Sequence, residues 1–128
     1  MESQSKSDVE QVFREMRDLK SVSMQEEIKD IELLIHKRDV LHAEIFSDIE
    51  AVKTMLRNHE LDAAMNPGAD SKQISEIRKK GIELEELKVQ EKLNHWRDVA
   101  ELKKELREMV KEARDSDNKT NLLNSLME

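Results

Sequence analysis

The sequence predicts an all-α fold, a long antiparallel coiled-coil hairpin of helices, and three observations support this prediction. The 128 residues include two Gly and one Pro, too few for the turns that a strand-rich fold needs. Charged residues make up 40% of the chain and aromatic residues 2%, which is typical of long or coiled-coil helices. Apolar residues also recur at alternating spacings of three and four, which places them on one side of a helix.

The middle of the chain contains its clearest helix-breaking segment, a loop predicted at 66–70. Pro67 removes a backbone donor and restricts Asn66, and Gly68 adds backbone freedom. Asp70 is placed to cap the following helix. Because the two halves are of similar length and the loop is short, we expect the helices to fold back as an antiparallel hairpin.

Weaker signals divide each half of the chain into a short and a long predicted helix. Ser-x-x-Glu sequences begin at Ser7 and Ser23, as at many helix starts, and the polar segment 115–118 favours a turn. We expect residues 1–6 to be disordered and residues 7–128 to form one elongated domain. Its predicted helices span 7–20, 24–65, 71–114 and 119–127.

Two polar residues interrupt the apolar stripe of the first long helix. The stripe runs from Ile28 to Leu56, but Arg38 and His42 occupy positions in its repeat. Equal rise on both sides of the loop places them opposite Trp96. Since a polar layer fixes helix register at some cost in stability, Arg38, His42 and Trp96 are predicted to set the register. The alternative is that Arg38 and His42 extend along the surface into solvent.

The second long helix has a less regular apolar pattern. It runs from Ile74 to Leu87 and, after a shift of phase, continues through Leu93 and Trp96. The shift predicts a local stutter in the packing of the two helices. Gly81 also lies inside this helix, where it either makes room for a large side chain or marks a bend.

The apolar face of the first long helix is wider than one partner helix can bury. This width predicts a docking face for a second copy or for another helical protein, giving a four-helix bundle as a homodimer or a heteromeric assembly. The alternative is a looser bundle in which the short end helices cover the face. The predicted interface residues are Leu33, Leu34, Val40, Leu41, Phe46 and Met55.

Composition argues against several other classes of partner. The net charge of −7 disfavours binding to nucleic acid, and no apolar run approaches the roughly 20 residues needed to insert in a membrane. The chain has no Cys, which favours a cytoplasmic or nuclear location.

The sequence also offers no site for catalysis, a metal or a cofactor. His36 and His42 are six residues apart, which does not place two ligands on one helical face, and His59-Glu60 lacks the second His of a zinc-binding motif. The carboxylates alternate with Lys and Arg as on a solvated helix face. We therefore predict a protein that is not an enzyme.

These features predict a scaffold or adaptor module that mediates oligomerisation, a role in which such chains are common in kinetochores, centrosomes and vesicle tethers. The alternative is a regulatory hairpin that presents its loop tip to an enzyme or small GTPase. The contacts at that tip would be Glu60, Asp62, Met65 and Asp70.

Overall fold

The protein consists of two long α-helices that pack against each other. The computed structural model describes the backbone of residues 2–68 and 70–127, and the side chains of residues 8–12, 14–68 and 70–127. Helix α1 spans Glu2–Met65 and helix α2 spans Ser71–Met127. No strand occurs in the described residues. The prediction of an all-α fold built on two long helices is therefore confirmed.

Each half of the chain forms one helix where the capping signals predict a short and a long one. α1 begins at Glu2, so residues 2–6 belong to this helix, while Met1 lies outside the described residues. α1 also crosses 21–23, and α2 crosses 115–118. Ser21 and Ser116 are half-buried and neither segment contains Gly or Pro, so a continuous helix keeps packing that a turn would lose.

Residues His36–Ala100 form one compact unit, which we call the hairpin unit. Its two helical segments run antiparallel, because Glu60 pairs with Arg78 near the turn and Lys53 pairs with Glu85 farther from it. Half-buried or buried positions at spacings of three and four form its packing seam. They are Arg38, His42, Ile45, Ile49, Lys53, Leu56, Glu60 and Ala63 on α1, and Ile74, Ile77, Gly81, Leu84, Lys88, Glu91, His95 and Asp98 on α2.

The turn between the helices is held by short-range hydrogen bonds. The backbone N–H of Gly68 donates to Asn66 Oδ1 at 3.1 Å. At the start of α2, the N–H of Lys72 donates to Asp70 Oδ1 at 3.1 Å, which confirms that Asp70 caps this helix. The N–H of Gln73 donates to the carbonyl oxygen of Asp70 at 3.0 Å.

Residues Met1–Ile35 and Glu101–Glu128 form a second compact unit, the terminal unit. Its seam consists of Arg17, Ser21, Met24, Ile28, Ile31 and Ile35 on α1, and Leu102, Leu106, Met109, Ala113, Ser116 and Thr120 on α2.

Very few of the described side chains are buried in either unit. Ile31 in the terminal unit is 4% exposed and Ile49 in the hairpin unit is 8% exposed; no other described hydrophobic side chain is buried. Neither helix contains, within its described residues, a stretch long and apolar enough to cross a membrane. Pairing two helices thus leaves most apolar residues partly in contact with water.

The seam of α2 keeps one phase through the hairpin unit, and the predicted shift of phase is absent from it. Leu93 and Trp96, which were predicted to continue the apolar stripe, are exposed. The seam passes instead through four polar positions: Lys88, Glu91, His95 and Asp98.

Gly81 lies in this seam without interrupting α2. A Cβ atom at this position would meet no neighbouring atom within 4 Å. No side chain of the hairpin unit therefore fills the space beside Gly81. The prediction that glycine makes room there for a large side chain is wrong for this unit.

Replacing Gly81 with Ala should stabilise the protein by roughly 0.5–1 kcal/mol, because Ala loses less conformational entropy in a helix and meets no obstruction. Thermal and urea unfolding followed by circular dichroism would measure this. The matched control is Ala51→Gly at an exposed position of α1, which should lose a similar amount. A less stable Gly81→Ala variant would mean that the helix needs glycine there.

Candidate functional site

The most distinctive feature of the hairpin unit is a group of polar side chains lying between its two helices. Three come from α1 and three from α2, and five of the six occupy seam positions. We call this group the polar cluster, and its members are Arg38, Asp39, His42, Glu91, His95 and Asp98.

Arg38 is held by two carboxylates of α2. Its Nη2 lies 2.7 Å from Glu91 Oε1, and its Nε lies 3.0 Å from Asp98 Oδ2. The side chains of Arg38 and Glu91 are only 14% and 12% exposed. Arg38 Nη1 is buried and has no hydrogen-bond partner among the described residues. The guanidinium therefore stays in the seam and does not extend along the surface.

The pKa values of these three groups are shifted in the direction that keeps them charged. Burial alone would lower the pKa of Arg38, but its hydrogen bonds to Glu91 and Asp98 outweigh burial and raise that pKa. Burial would likewise raise the pKa of Glu91, and hydrogen bonds from Arg38 and His42 lower it overall. The hydrogen bond from Arg38 lowers the pKa of Asp98.

Two histidines complete the cluster, one from each helix. His42 Nδ1 lies 3.2 Å from Glu91 Oε1, and His95 Nε2 lies 2.7 Å from Asp39 Oδ1. Because an ionised carboxylate only accepts hydrogen bonds, each imidazole donates through that nitrogen. The two rings are stacked, with centroids 3.9 Å apart and planes 9° from parallel. The helices are thus joined at one level by ion pairs and by ring stacking.

A second set of ion pairs lies nearer the turn. Lys53 bonds to Glu85 across the helices, and Lys88 Nζ lies 2.7 Å from Glu50 Oε1. The hydrogen bond that Lys53 donates to Glu85 raises the pKa of Lys53 and lowers the pKa of Glu85. The hydrogen bond that Lys88 donates to Glu50 lowers the pKa of Glu50. Lys53 and Lys88 occupy seam positions, so their stems pack between the helices while their charges reach the edge.

The structure brings together two of the three residues predicted to set the register. Arg38 and His42 both lie in the polar cluster, whereas Trp96 is 73% exposed and faces away from the seam. Glu91 and His95, which the sequence analysis missed, take the positions opposite. Their positions could have been found in the sequence, because both continue the spacing of three and four residues that runs through Leu84, provided that polar residues are included in the pattern.

Five of the six predicted interface residues are on the surface. Leu33 and Leu34 in the terminal unit are about half exposed, and Val40, Leu41 and Met55 in the hairpin unit are 43–59% exposed.

Phe46 differs from the other predicted interface residues because it packs within the hairpin unit. Its ring lies 4.2 Å from that of His42, and Lys88 Nζ lies 5.4 Å from its centroid. It is half-buried. Phe46 therefore covers one side of the polar cluster.

The four predicted loop-tip residues do not all lie free on one exposed contact surface. Glu60 Oε1 accepts a hydrogen bond from Arg78 at 2.7 Å, and the carboxylate of Asp70 caps α2. Asp62 is exposed, and Met65 is 84% exposed. Two of the four acidic or apolar groups at this end are thus engaged in holding the hairpin together.

The chemistry that the polar cluster offers is ion pairing between helices. Its carboxylates and imidazoles already bond to one another or to Arg38, and no described group of three or more His, Asp or Glu residues is arranged to hold a metal ion. The cluster thus fixes which residues of α1 meet which residues of α2.

The fold and this cluster define the chain as a two-helix hairpin protein with an ionic seam. Residues 1–127 match a family described as a family of unknown function, DUF8104, and the chain belongs to that family. No curated protein and no solved structure matches the chain.

Replacing Glu91 with Gln should destabilise the protein by about 2 kcal/mol, because Arg38 and His42 would lose the carboxylate that both contact. Urea unfolding at neutral pH would measure the change. Glu44→Gln, on an exposed position of α1, is the matched control and should be nearly neutral. Equal stability of the two variants would contradict a structural role for the cluster.

Acid should weaken the hairpin through the same groups. Because folding lowers the pKa of Glu91 and Asp98, their stabilisation is complete above the unfolded-state values of about 4 and is lost as pH falls through the folded-state values. The free energy of unfolding should therefore fall between about pH 5 and pH 2. The fall should be smaller in Glu91→Gln than in the wild type, and parallel pH profiles for the two would contradict this assignment.

Proposed function

We propose that this protein is a non-enzymatic scaffold or adaptor, a coiled-coil module that associates with itself or with another helical protein in a larger assembly. One observation carries the proposal: apolar side chains remain exposed on α1 after the two helices have packed. In the hairpin unit these are Val40, Leu41 and Met55, and in the terminal unit they are Leu33 and Leu34.

Association with further helices accounts for these exposed residues. A helix with a wide apolar face buries it by contacting more than one neighbour, as in a four-helix bundle. Exposed apolar side chains that lie close together on one helix are more typical of an interaction surface than of a surface that faces only water. The polar cluster supports the same role, since it fixes the register of α1 and α2 and so holds the exposed residues at defined positions.

The loop-tip alternative has weaker support. Its strongest feature is Met65, the most exposed of the large apolar side chains in the described residues. Glu60 and Asp70 are engaged with Arg78 and with the start of α2, which accounts for their presence without a partner.

A pair of substitutions on α1 tests the proposal. Val40→Ser with Leu41→Ser should leave the fold intact, because both side chains are exposed, and should remove association. The measurements are mass in solution by sedimentation and recovery of partners from cell extract. The matched control is Leu61→Ser, at an apolar residue of α1 with similar exposure near the turn.

The opposite pattern would favour the loop tip. If Met65→Ser and Asp62→Ser abolished partner recovery while the Val40 and Leu41 variant retained it, association through this face of α1 would be excluded. A wild-type chain that sedimented at 15.0 kDa and recovered no partner would contradict both functions.

A further inference from the structure

We propose that one face of α2 in the hairpin unit is a self-association surface on which a second copy of this chain binds antiparallel. We call it the α2 face, and it consists of Ile82, Val89, Leu93 and Trp96. This inference rests on the proposed scaffold function and goes beyond it by assigning the partner, the surface and the orientation.

The α2 face is separate from the seam that joins the two helices. Each residue turns a helix by about 100°, so the four side chains fall on one side of α2, roughly 110° from the seam positions Gly81, Lys88 and His95. All four are 56–73% exposed, and Trp96 is the most exposed of them. An exposed row of this kind, ending in the only Trp of the chain, is unusual on a solvated helix.

A groove of about 720 Å³ lies between α1 and α2, and it is lined by two residues of the α2 face, Ile82 and Val89. Four of its lining residues lie on α2 at spacings of three, one and three, which is the set that forms a hole for a side chain of a facing helix. They are Ile82, Glu85, Glu86 and Val89. Gly81 also lines the groove, and the open space at its missing Cβ keeps the groove wide.

An antiparallel second copy matches this hole with a side chain of the right size. When Val89 lies opposite Leu93 of the second copy, equal rise along both helices brings the second copy's Trp96 to the level of Glu86. The indole then enters the hole between Ile82 and Val89. Because the arrangement has two-fold symmetry, each copy supplies one Trp and one hole.

The charges beside the α2 face are complementary in the same register. Glu83 of each copy lies near Arg97 of the other copy, so the pair occurs twice, once on each side of the two-fold axis. Gln90 of one copy lies near Gln90 of the other. The Arg97 side chain is 61% exposed, with its Nη2 3.5 Å from Asp98 Oδ1, so it is accessible from outside. A parallel pair in register would place Glu83 against Glu83 and Arg97 against Arg97, which repel.

The face is thus self-complementary in both shape and charge. It contains a projecting aromatic side chain and the hole that fits it, and an acidic residue and the basic residue that pairs with it. A different protein would need to supply both halves independently. Because of these properties, we infer that the partner of the α2 face is a second copy of the chain.

The dissociation constant of the dimer tests the surface, measured by sedimentation of the full chain over a range of concentrations. Trp96→Ala should weaken dimerisation by roughly 30-fold, the effect of losing an aromatic anchor. Leu87→Ala is the matched control, because Leu87 is similarly exposed but lies on another side of α2. Circular dichroism should show the same helix content in both variants, since both side chains are exposed.

A charge exchange tests the pairing itself. Glu83→Arg and Arg97→Glu should each weaken the dimer, and the double variant should restore it, because the pair is rebuilt with the charges reversed. Trp96 provides an independent readout as the only Trp, since its fluorescence emission should move to shorter wavelength as the wild type dimerises. Weakening by the single variants without recovery in the double variant would overturn the pairing.

Disulfide trapping tests the orientation, and the chain has no native Cys to interfere. The proposed register places Ile82 opposite Ala100 of the second copy. An Ile82→Cys chain mixed with an Ala100→Cys chain should form the mixed disulfide, and neither chain alone should cross-link. Cross-linking of Ile82→Cys with itself would overturn the antiparallel arrangement.

The outcomes separate this inference from the proposed function. A dimer that tolerates Trp96→Ala but is lost in the Val40 and Leu41 variant would overturn the α2 face and leave the scaffold function standing. A wild type that remains monomeric at about 100 μM, well above the micromolar range of specific complexes, overturns the inference whether or not a different partner is recovered. Recovery of such a partner would still support the adaptor role.

Discussion

The central constraint on the hairpin unit is that a guanidinium placed between two packed helices must be matched by acceptors from the facing helix. Arg38 occupies such a position, and Glu91 and Asp98, seven residues apart on α2, are the carboxylates that meet it. A shift of either helix by one turn would separate the charges and leave them partly desolvated. The stacked histidines and their carboxylates add bonds at the same level. The position of every other residue along the seam follows from this match.

A pair of helices can bury only one stripe of each, and this limit explains the surface. Ile31 and Ile49 are buried, while the remaining apolar residues keep substantial contact with water. Stability in such a structure depends on continuous helices, which accumulate small contributions from many half-buried positions. The same geometry leaves apolar rows on the outside of both helices. We assign the row on α1 to association in general and the row on α2 to a second copy of the chain.

The sequence predicted the fold class well because its strongest signals are local. Pro67 and Gly68 mark the turn, Asp70 caps α2, and the scarcity of other breakers leaves long helices. Breaks near Ser21 and Ser116 were predicted but are absent, because capping residues also tolerate a helix interior when the surrounding positions pack.

The polar cluster was predictable only in part, because the sequence pattern was followed through apolar residues alone. Arg38 and His42 were identified as interruptions of an apolar stripe, but the residue predicted to set the register with them was Trp96. Glu91 and His95 continue the seam although they are polar. A pattern drawn through apolar residues alone therefore leads to Leu93 and Trp96, which lie on the exposed side of α2. Exposure of Trp96 depends on the rotation of α2 about its axis, which only the packed structure reveals.

The ion pairs of the hairpin unit also form a series that bears on how the chain folds. Glu60 and Arg78 are separated by 18 residues, Glu50 and Lys88 by 38, and Arg38 and Asp98 by 60. Each pair lies farther from the turn than the one before, so once an inner pair has formed, the next closes only a short additional loop. We therefore expect long-range contacts to form by zipping outward from the turn at 66–70 at low entropic cost, the order that permits fast folding of helical hairpins.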